Sequence, residues 1–257
     1  MTGYEILIFL FGLVTGSFMN VLIYRIPRNL SIVRPGSRCP QCGAPIKPLD
    51  NIPLLSFILL GGRCRSCGSR IHWRYPLVEF LNGALWVLAY YRYDLGLSLL
   101  PLLLFLSGLV VITFIDLEHM IIPDVITLPG ALVGIILSPL LMDPFARYDY
   151  LGFINSLFGA LTGFILFLII SIAGTWFFKK EAMGGGDIKL MAMVGAFTGW
   201  KGVLLTTFSG SLLGAIVGIA IILRKKSSDT TIPFGPYLAM GAMVSLFFGE
   251  EILRLYL

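Results

Sequence analysis

Charged residues are scarce in this sequence, and their scarcity narrows its class. Only 13% of the 257 residues are Asp, Glu, Lys or Arg, and 57% are hydrophobic, whereas soluble domains carry ~25% charged residues. With a mean hydropathy of +0.89, this composition excludes an ordinary soluble enzyme and predicts a polytopic membrane protein. No Lys or Arg precedes Arg25, so a cleavable signal peptide with a basic start is not expected.

Motifs for nucleophilic and metal-dependent hydrolysis are also absent. The sequence has two histidines, His72 and His119, and contains neither Gly-x-Ser-x-Gly nor His-Glu-x-x-His. These absences argue against a serine hydrolase of the nucleophile-elbow type and against a zinc metalloprotease.

Long apolar runs are what the sequence has in abundance. We predict membrane helices at residues 4–24, 76–92, 97–116, 124–142, 152–178, 187–200, 202–223 and 235–250. The sixth run is short and interrupted by glycine, so its limits are the least defined. The predicted fold is an all-α polytopic membrane protein with about eight transmembrane helices.

Basic residues cluster between the first two apolar runs. Residues 25–75 hold nine Lys and Arg side chains but a single acid, Asp50. Because cytoplasmic loops carry an excess of Lys and Arg, we place this segment in the cytoplasm. Eight crossings then put fifteen of the nineteen basic residues inside and both termini outside. The net charge of +5 thus reflects topology, and nucleic-acid binding is not expected.

All four cysteines lie in this cytoplasmic insert. They form two Cys-x-x-Cys-Gly motifs, at Cys39 and Cys42 and at Cys64 and Cys67. Paired motifs of this kind predict a tetrahedral structural Zn²⁺ site, and four thiolates leave no open position for catalysis. Two disulfides are the alternative, which a cytoplasmic location disfavours. The expected parts are a first helix (1–24), a zinc-binding insert (25–75) and a seven-helix membrane domain (76–257).

Two aspartates stand at the ends of apolar helices. Asp116 ends the third run, and Asp187 opens the sixth run 71 residues later. A carboxylate on a membrane helix is costly unless water, a partner or function retains it. In the predicted topology both lie at the cytoplasmic boundary, where facing carboxylates could share a proton and hydrolyse a peptide bond. The sequence alone leaves Asp124 open as an alternative to Asp116, and helix capping open as a role for Asp187.

Several neighbouring residues are candidates for supporting this site. Glu79 could be a helix-dipole partner or could face the site, and both interpretations stay open. Asp124 suits the N-cap of the fourth helix. Gly184 and Gly186 precede Asp187 and would let an extended peptide approach closely, and Lys189 follows in the same motif.

An ordered set of motifs resembles the type IV prepilin peptidases, which are aspartic proteases with a Gly-x-Gly-Asp motif. The matching pieces are Gly16-Ser17-Phe18-Met19-Asn20-Val21 running to Arg25-Ile26-Pro27, the two cysteine motifs, Arg74-Tyr75-Pro76-Leu77-Val78-Glu79, Ile115-Asp116-Leu117-Glu118-His119 with Pro123-Asp124, Gly184-Gly185-Gly186-Asp187-Ile188-Lys189-Leu190, and Pro233-Phe234-Gly235-Pro236-Tyr237. They span residues 16–237 in order.

The resemblance implies an activity and a location. It makes Asp116 and Asp187 the catalytic pair and places the protein in the bacterial inner membrane, as part of a pilus or type II secretion system. Prepilins or pseudopilins would lose a basic leader after a glycine. The new N-terminal residue would then be methylated with S-adenosylmethionine, whose binding residues are unknown since no Gly-rich fingerprint is present. The resemblance does not indicate the oligomeric state; membrane lipids are the other expected partners.

Two other classes of function compete with this interpretation. A proton-coupled transporter would carry its acids in mid-helix and show a repeat between its halves, whereas these acids lie at helix ends and no repeat is evident. A non-catalytic, zinc-stabilised membrane scaffold would tolerate replacement of either aspartate.

Overall fold

The structure is a computed structural model that describes residues 3–146, 149–179, 183–225 and 232–256. Its helices are α1 (Gly3–Arg25), α2 (Leu55–Leu59), α3 (Arg74–Tyr93), α4 (Leu99–His119), α5 (Asp124–Leu137), α6 (Phe153–Phe178), α7 (Gly185–Lys225) and α8 (Gly235–Tyr256). Within these described ranges β structure is limited to isolated bridges. The predicted all-α class is confirmed.

Helix α7 is broken at Gly199, where the backbone adopts φ 69° and ψ −179°, a conformation that glycine tolerates and other residues rarely adopt. The two halves run in opposite directions. Asp187 lies at the start of the first half, near the start of α8, because Gly186 and Gly235 both contact Ile122. In the second half, a Cβ on Gly210 would lie 3.0 Å from the carbonyl oxygen of Tyr237, which is also near the start of α8. A straight helix would separate residues 187 and 210 by ~34 Å. The predicted sixth and seventh helices are therefore two antiparallel segments.

Most helix limits agree with the predicted apolar runs, and two do not. Helix α5 ends at Leu137 rather than at residue 142, because the Ser138 hydroxyl donates to the Ile135 carbonyl at 2.7 Å and Pro139 follows. Helix α8 continues to Tyr256 rather than stopping at residue 250. Its last turns are charged, so hydropathy did not mark them, and Arg254 pairs with Glu250 one turn earlier.

Among the described residues, four helical stretches are long and apolar enough to cross a membrane, namely Gly3–Arg28, Leu99–His119, Phe153–Phe177 and Gly185–Ile221, the last of which contains the break at Gly199. They make the chain an integral membrane protein. A full set of eight crossings stays a prediction, as does the side on which each loop lies. Three basic residues used for that topology, Arg147, Lys180 and Lys226, lie outside the described residues.

The chain forms two compact units, Met1–Asp94 and Leu95–Leu257. In the first unit α1 and α3 pack closely because glycines, which have no side chain, lie where the two helices contact each other. A Cβ on Gly12 would lie 2.7 Å from the Cα of Gly83. Nearer the insert, the Asn20 side-chain amide donates to the Tyr75 carbonyl at 3.1 Å. Asn20 thus joins two helices, as expected for a polar side chain in an apolar helix.

In the second unit α7 packs against α6 through its first half and against α8 through its second. Gly159 of α6 approaches the backbone of Gly195 and Gly199, so closely that a Cβ would lie 2.6 Å from the Gly199 Cα. Across the second half, a Cβ on Gly241 of α8 would lie 2.6 Å from the Thr206 carbonyl oxygen. Such close backbone contacts at small residues are typical of packed membrane helices.

The two compact units differ from the expected three-part division at residues 24 and 75. Helix α3 belongs with α1 and the insert in the first unit. Compactness does not decide which parts function together, so the division into residues 1–24, 25–75 and 76–257 stays a prediction.

We expect Gly159→Ala to destabilise the second unit by about 1–3 kcal/mol, because its methyl group would overlap the α7 backbone. The measurement is the thermal unfolding midpoint of the purified protein in detergent. Gly218→Ala is the matched control, since its Cβ would meet only the Ile232 Cδ1 at 3.6 Å. Because alanine favours helix, this control should be neutral or slightly stabilising. Equal midpoints for the two variants would contradict the packing argument.

Candidate functional site

Asp116 lies in the last turns of α4 and is buried, with 5% of its surface exposed. One carboxylate oxygen, Oδ2, accepts a hydrogen bond from the backbone N–H of Gly235 at 2.9 Å. Gly235 is the first residue of α8, where the helix presents unsatisfied N–H groups. The Asp116 carboxylate therefore occupies the N-terminus of another helix of the same unit, which fixes the orientation of its side chain.

Asp187 lies in the first turn of α7, which begins at Gly185. Its Oδ1 atom is buried and has no hydrogen-bond partner in the part of the chain that the structure describes. A buried acceptor without a protein partner is ready to bind water or a substrate group.

Ile122 joins the elements that surround the two acids. It belongs to the connection between α4 and α5 and is buried at 8% exposure. A Cβ on Gly186 would lie 2.7 Å from the Ile122 Cβ, and a Cβ on Gly235 would lie 3.1 Å from its Cδ1. Glycine at both positions therefore lets the starts of α7 and α8 close around one side chain, which brings Asp187 towards Asp116.

Gly235 also gives Asp116 the space that its carboxylate needs. A Cβ at this position would lie 2.7 Å from Asp116 Oδ2, which is shorter than a nonbonded contact allows. The same residue thus supplies the N–H that holds the carboxylate and lacks the side chain that would displace it. By contrast, a Cβ on Gly184 would meet Asp187 Oδ2 at an ordinary 3.7 Å.

Asp124 and Lys189 form an ion pair, with the Lys189 Nζ at 2.6 Å from the Asp124 Oδ2. The pair links the first turn of α5 to the first turn of α7, two residues after Asp187. Asp124 is the first residue of α5, Pro123 occupies the N-cap position, and no side chain caps the helix. The expected N-cap role of Asp124 is therefore wrong: its carboxylate reaches across to Lys189 instead.

Glu79 lies in the first unit, in the second turn of α3. Its Oε2 atom accepts a hydrogen bond from the backbone N–H of Leu54 at 2.9 Å, and it is buried at 8% exposure. Leu54 belongs to the insert, so this carboxylate ties the insert to a long helix.

The four cysteines lie together in two turns of the same construction. In the first, the N–H of Gly43 donates to the Cys39 carbonyl at 2.9 Å, and in the second the N–H of Gly68 donates to the Cys64 carbonyl at 2.9 Å. Gly43 and Gly68 have φ of 71° and 70°, which requires glycine. The motif spacing has thus produced two equivalent turns 25 residues apart.

These turns bring one sulfur from each cysteine to within 4.8 Å of the others, and Cys39 Sγ and Cys67 Sγ are 3.9 Å apart. Ligands of a tetrahedral zinc with bonds of ~2.3 Å are separated by ~3.8 Å. All four cysteines are free thiols, so the alternative of two disulfides is not what the structure contains. The backbone N–H of Cys42 lowers the pKa of Cys39 to about 6, and thiolates are the metal-binding form.

Sequence reasoning missed three contacts of these sites. Gly235 lay in a quoted motif without a role, Ile122 carried no chemical signal, and Ser69 was not considered, although its hydroxyl lies 3.1 Å from Cys67 Sγ. The hydrogen bond between Gly235 and Asp116 joins residues 119 positions apart, and no local pattern announces such a contact.

Comparison with known proteins places the chain among leader peptidases. Residues 10–93 match the bacterial peptidase A24 N-terminal domain, and residues 103–219 match the type IV leader peptidase family. No solved structure matches the chain.

Three relatives bear the name prepilin leader peptidase/N-methyltransferase. The protein of Pseudomonas aeruginosa is 37% identical over 276 residues, which cover 96% of this chain and 91% of that protein. The Bacillus subtilis protein is 36% identical over 255 residues, which cover 98% of this chain and 97% of that protein. The Myxococcus xanthus protein is 44% identical over 221 residues, where the match covers 86% of this chain but only 64% of that protein's length. On these matches the chain belongs to the prepilin leader peptidase/N-methyltransferase family.

Proposed function

We propose that this protein is a membrane aspartic endopeptidase that removes the leader of type IV prepilins or pseudopilins and then methylates the new N-terminus. The observation that carries the proposal is that the start of α7, which contains Asp187, and the start of α8, which holds Asp116, both pack against Ile122. The names of its relatives support both activities. The acids lie at helix ends, which does not favour a transporter with acids in mid-helix.

The peptidase step needs only the two carboxyl groups and water. One carboxylate takes a proton from water, whose oxygen attacks the carbonyl carbon of the scissile bond, while the other carboxyl group gives its proton to the carbonyl oxygen. When the tetrahedral intermediate collapses, the carbon–nitrogen bond breaks and the leaving amine takes a proton. The products are a new carboxyl terminus on glycine and a new amino terminus. The N–H of Gly235 keeps Asp116 oriented throughout.

The proposed location is the bacterial inner membrane, with the insert and the aspartate pair at the cytoplasmic face and both termini outside. The concentration of Lys and Arg in residues 25–75 supports this orientation. The antiparallel halves of α7 support it as well, because they supply the two crossings that the arrangement needs between Asp187 and α8.

We further propose that the insert holds one structural Zn²⁺ through Cys39, Cys42, Cys64 and Cys67. Support comes from the clustering of the four sulfurs and from the donor set, since four thiolates suit zinc and leave no catalytic position. The metal would supply folding free energy to the insert. S-adenosylmethionine would donate the methyl group to the free amine of the cleaved pilin, and no described residue is assigned to its site.

We expect Asp116→Asn and Asp187→Asn each to lower the rate of prepilin cleavage by at least ~10²-fold, because asparagine keeps the side-chain shape but cannot transfer the proton. Cleavage is measured by mass spectrometry on a purified prepilin. Ser66→Ala, in an exposed turn of the first unit, is the control and should cleave the prepilin like the unaltered protein. Retention of more than a few per cent of activity in either aspartate variant would contradict the proposal that Asp116 and Asp187 are the catalytic pair.

Gly235→Ala should lower kcat for cleavage by roughly 10²-fold and leave KM nearly unchanged, because its methyl group would displace the Asp116 carboxylate without touching a distant substrate contact. Steady-state kinetics on the same prepilin test this expectation. Gly218→Ala should behave like the unaltered protein. A Gly235→Ala variant with an unchanged kcat would refute the positioning role.

Elemental analysis of the purified protein should find about one zinc per chain, because the four thiolates form a complete tetrahedral set. Cys67→Ser should reduce the zinc content, and Ser66→Ala, in the same exposed turn, should not. Two disulfides found by mass spectrometry in protein kept under reducing conditions would exclude the zinc site.

We further propose that the insert in the first unit carries or completes the methyl-transfer site. Peptidase and methyltransferase activities should then be separable, because the peptidase acids lie in the second unit. Asp187→Asn should still methylate a pilin supplied without its leader, measured by transfer of a labelled methyl group. If the variant folds normally and cannot methylate that substrate, the two activities share one site.

A further inference from the structure

One part of the insert is apolar, although the insert as a whole is basic. Residues 51–60 contain no charged side chain, and they follow a short 3-10 turn at Pro48–Asn51 and include α2. Four large apolar side chains of this stretch are exposed, Ile52 by 40%, Leu55 by 48%, Ile58 by 72% and Leu59 by 75%, and so is the neighbouring Leu49, by 78%. We refer to residues 49–59 as the apolar segment.

The exposure of these side chains follows from how the apolar segment folds. The Ser56 hydroxyl donates to the Leu49 carbonyl at 2.8 Å and accepts from the Ile52 N–H at 2.9 Å. The buried polar residue is therefore in the middle of the segment, and the apolar side chains are on its outside. The Phe57 ring packs inward, 3.1 Å from where a Cβ of Gly62 would lie. A loop in water usually exposes its polar side chains and buries its apolar ones, and here the serine is buried and the apolar side chains are exposed.

The apolar segment is fixed alongside the long helices rather than beyond their ends. The Leu54 N–H donates to Glu79, which is five residues into α3, or ~7.5 Å along the helix axis. Glu79 in turn packs against α1, where a Cβ on Gly16 would lie 2.7 Å from the Glu79 Cα. Gly16 is nine residues before Arg25, the end of α1, or ~13 Å. Because α1 is long and apolar enough to span a membrane, Glu79 contacts a part of α1 that a bilayer would surround, and its hydrogen bond holds Leu54 within one side-chain length of that contact.

The charges of the insert suit a lipid surface. Seven of its nine basic side chains are exposed: Arg28, Arg34, Arg38, Lys47, Arg63, Arg65 and Arg70. Its one acid, Asp50, is engaged by Arg65, whose guanidinium makes hydrogen bonds to both carboxylate oxygens. Exposed basic groups beside an apolar segment whose one acid is paired are typical of an element that binds an anionic membrane interface.

We infer that the apolar segment is a monotopic membrane element: it inserts its exposed side chains among the lipids of the leaflet nearest the insert, while the basic side chains contact anionic headgroups. The insert is thus anchored at three places, by α1, by α3 and by the apolar segment between them. This inference does not depend on the peptidase activity, and it revises the expectation that residues 25–75 lie wholly in the cytoplasm.

The test uses the full-length protein with a diazirine amino acid at position 59, or at position 66 as the matched control. Ser66 is exposed in the second cysteine turn and has no apolar neighbours in sequence. Each protein is reconstituted into vesicles of phosphatidylcholine, with or without phosphatidylglycerol, irradiated and analysed by mass spectrometry. We expect lipid adducts at position 59 and water adducts at position 66. Phosphatidylglycerol should raise the lipid adduct at position 59 severalfold.

Two outcomes would overturn the inference. Water adducts at position 59 equal to those at position 66 would place the apolar segment in solvent, and crosslinks to protein instead of lipid would make it a protein contact. The role of the basic side chains is tested with the double variant Lys47→Gln and Arg63→Gln, since these two residues flank the apolar segment. The variant should abolish the effect of phosphatidylglycerol and keep the lipid adduct that forms in phosphatidylcholine alone. A phosphatidylglycerol effect that survives this variant would refute the role of the basic side chains.

Discussion

The hydrogen bond from the Gly235 N–H to the Asp116 carboxylate is the interaction on which the arrangement of the candidate site depends. It joins the end of α4 to the start of α8, and it provides a buried carboxylate with a donor in a region where an unpaired charge would be costly. The contact is possible because residue 235 has no side chain. One backbone group therefore both stabilises the acid and determines where its second oxygen points.

The same dependence on backbone contacts extends through the second unit. Where α6, α7 and α8 meet, the helices approach through glycines such as Gly159, Gly195 and Gly241 rather than through interlocking large side chains. In a lipid environment burial of apolar surface gives little preference for one helix partner over another, so close backbone packing carries more of the specificity. The two acids are held on this frame, and the buried Oδ1 of Asp187 has no hydrogen-bond partner among the described residues.

Much of the fold follows from the sequence, and the reasons are physical. Bilayer-length apolar runs have few alternatives to helix, so the limits of α1, α3 and α6 agree closely with the predicted runs. The cysteine spacing predicted a cluster because two Cys-x-x-Cys-Gly turns have one favourable geometry. Hydropathy could not locate the end of α5, where a serine hydroxyl and a proline stop the helix within an apolar run, nor the charged end of α8.

Of the candidate site, only the two acidic residues could be predicted from the sequence. Asp116 and Asp187 stand out because carboxylates are rare on apolar helices, but the groups that position them are a backbone amide and an isoleucine. Asp124 was misinterpreted for a related reason: its place at a helix start suggested a local cap, whereas its partner Lys189 is 65 residues away. Local patterns identify chemically unusual side chains, and long-range geometry decides what they touch.

The reversal at Gly199 has a consequence for how the chain enters the membrane. The two halves of α7 are joined by one non-helical residue, and Lys201 is the one charged residue close to the bend in sequence. There is therefore almost no hydrophilic linker to be moved through the bilayer during synthesis. The halves are then most simply inserted together, as a preformed helical hairpin. A reporter tag placed at this bend would separate the halves and destroy the hairpin, so the topology of this region is better mapped from the connections on either side.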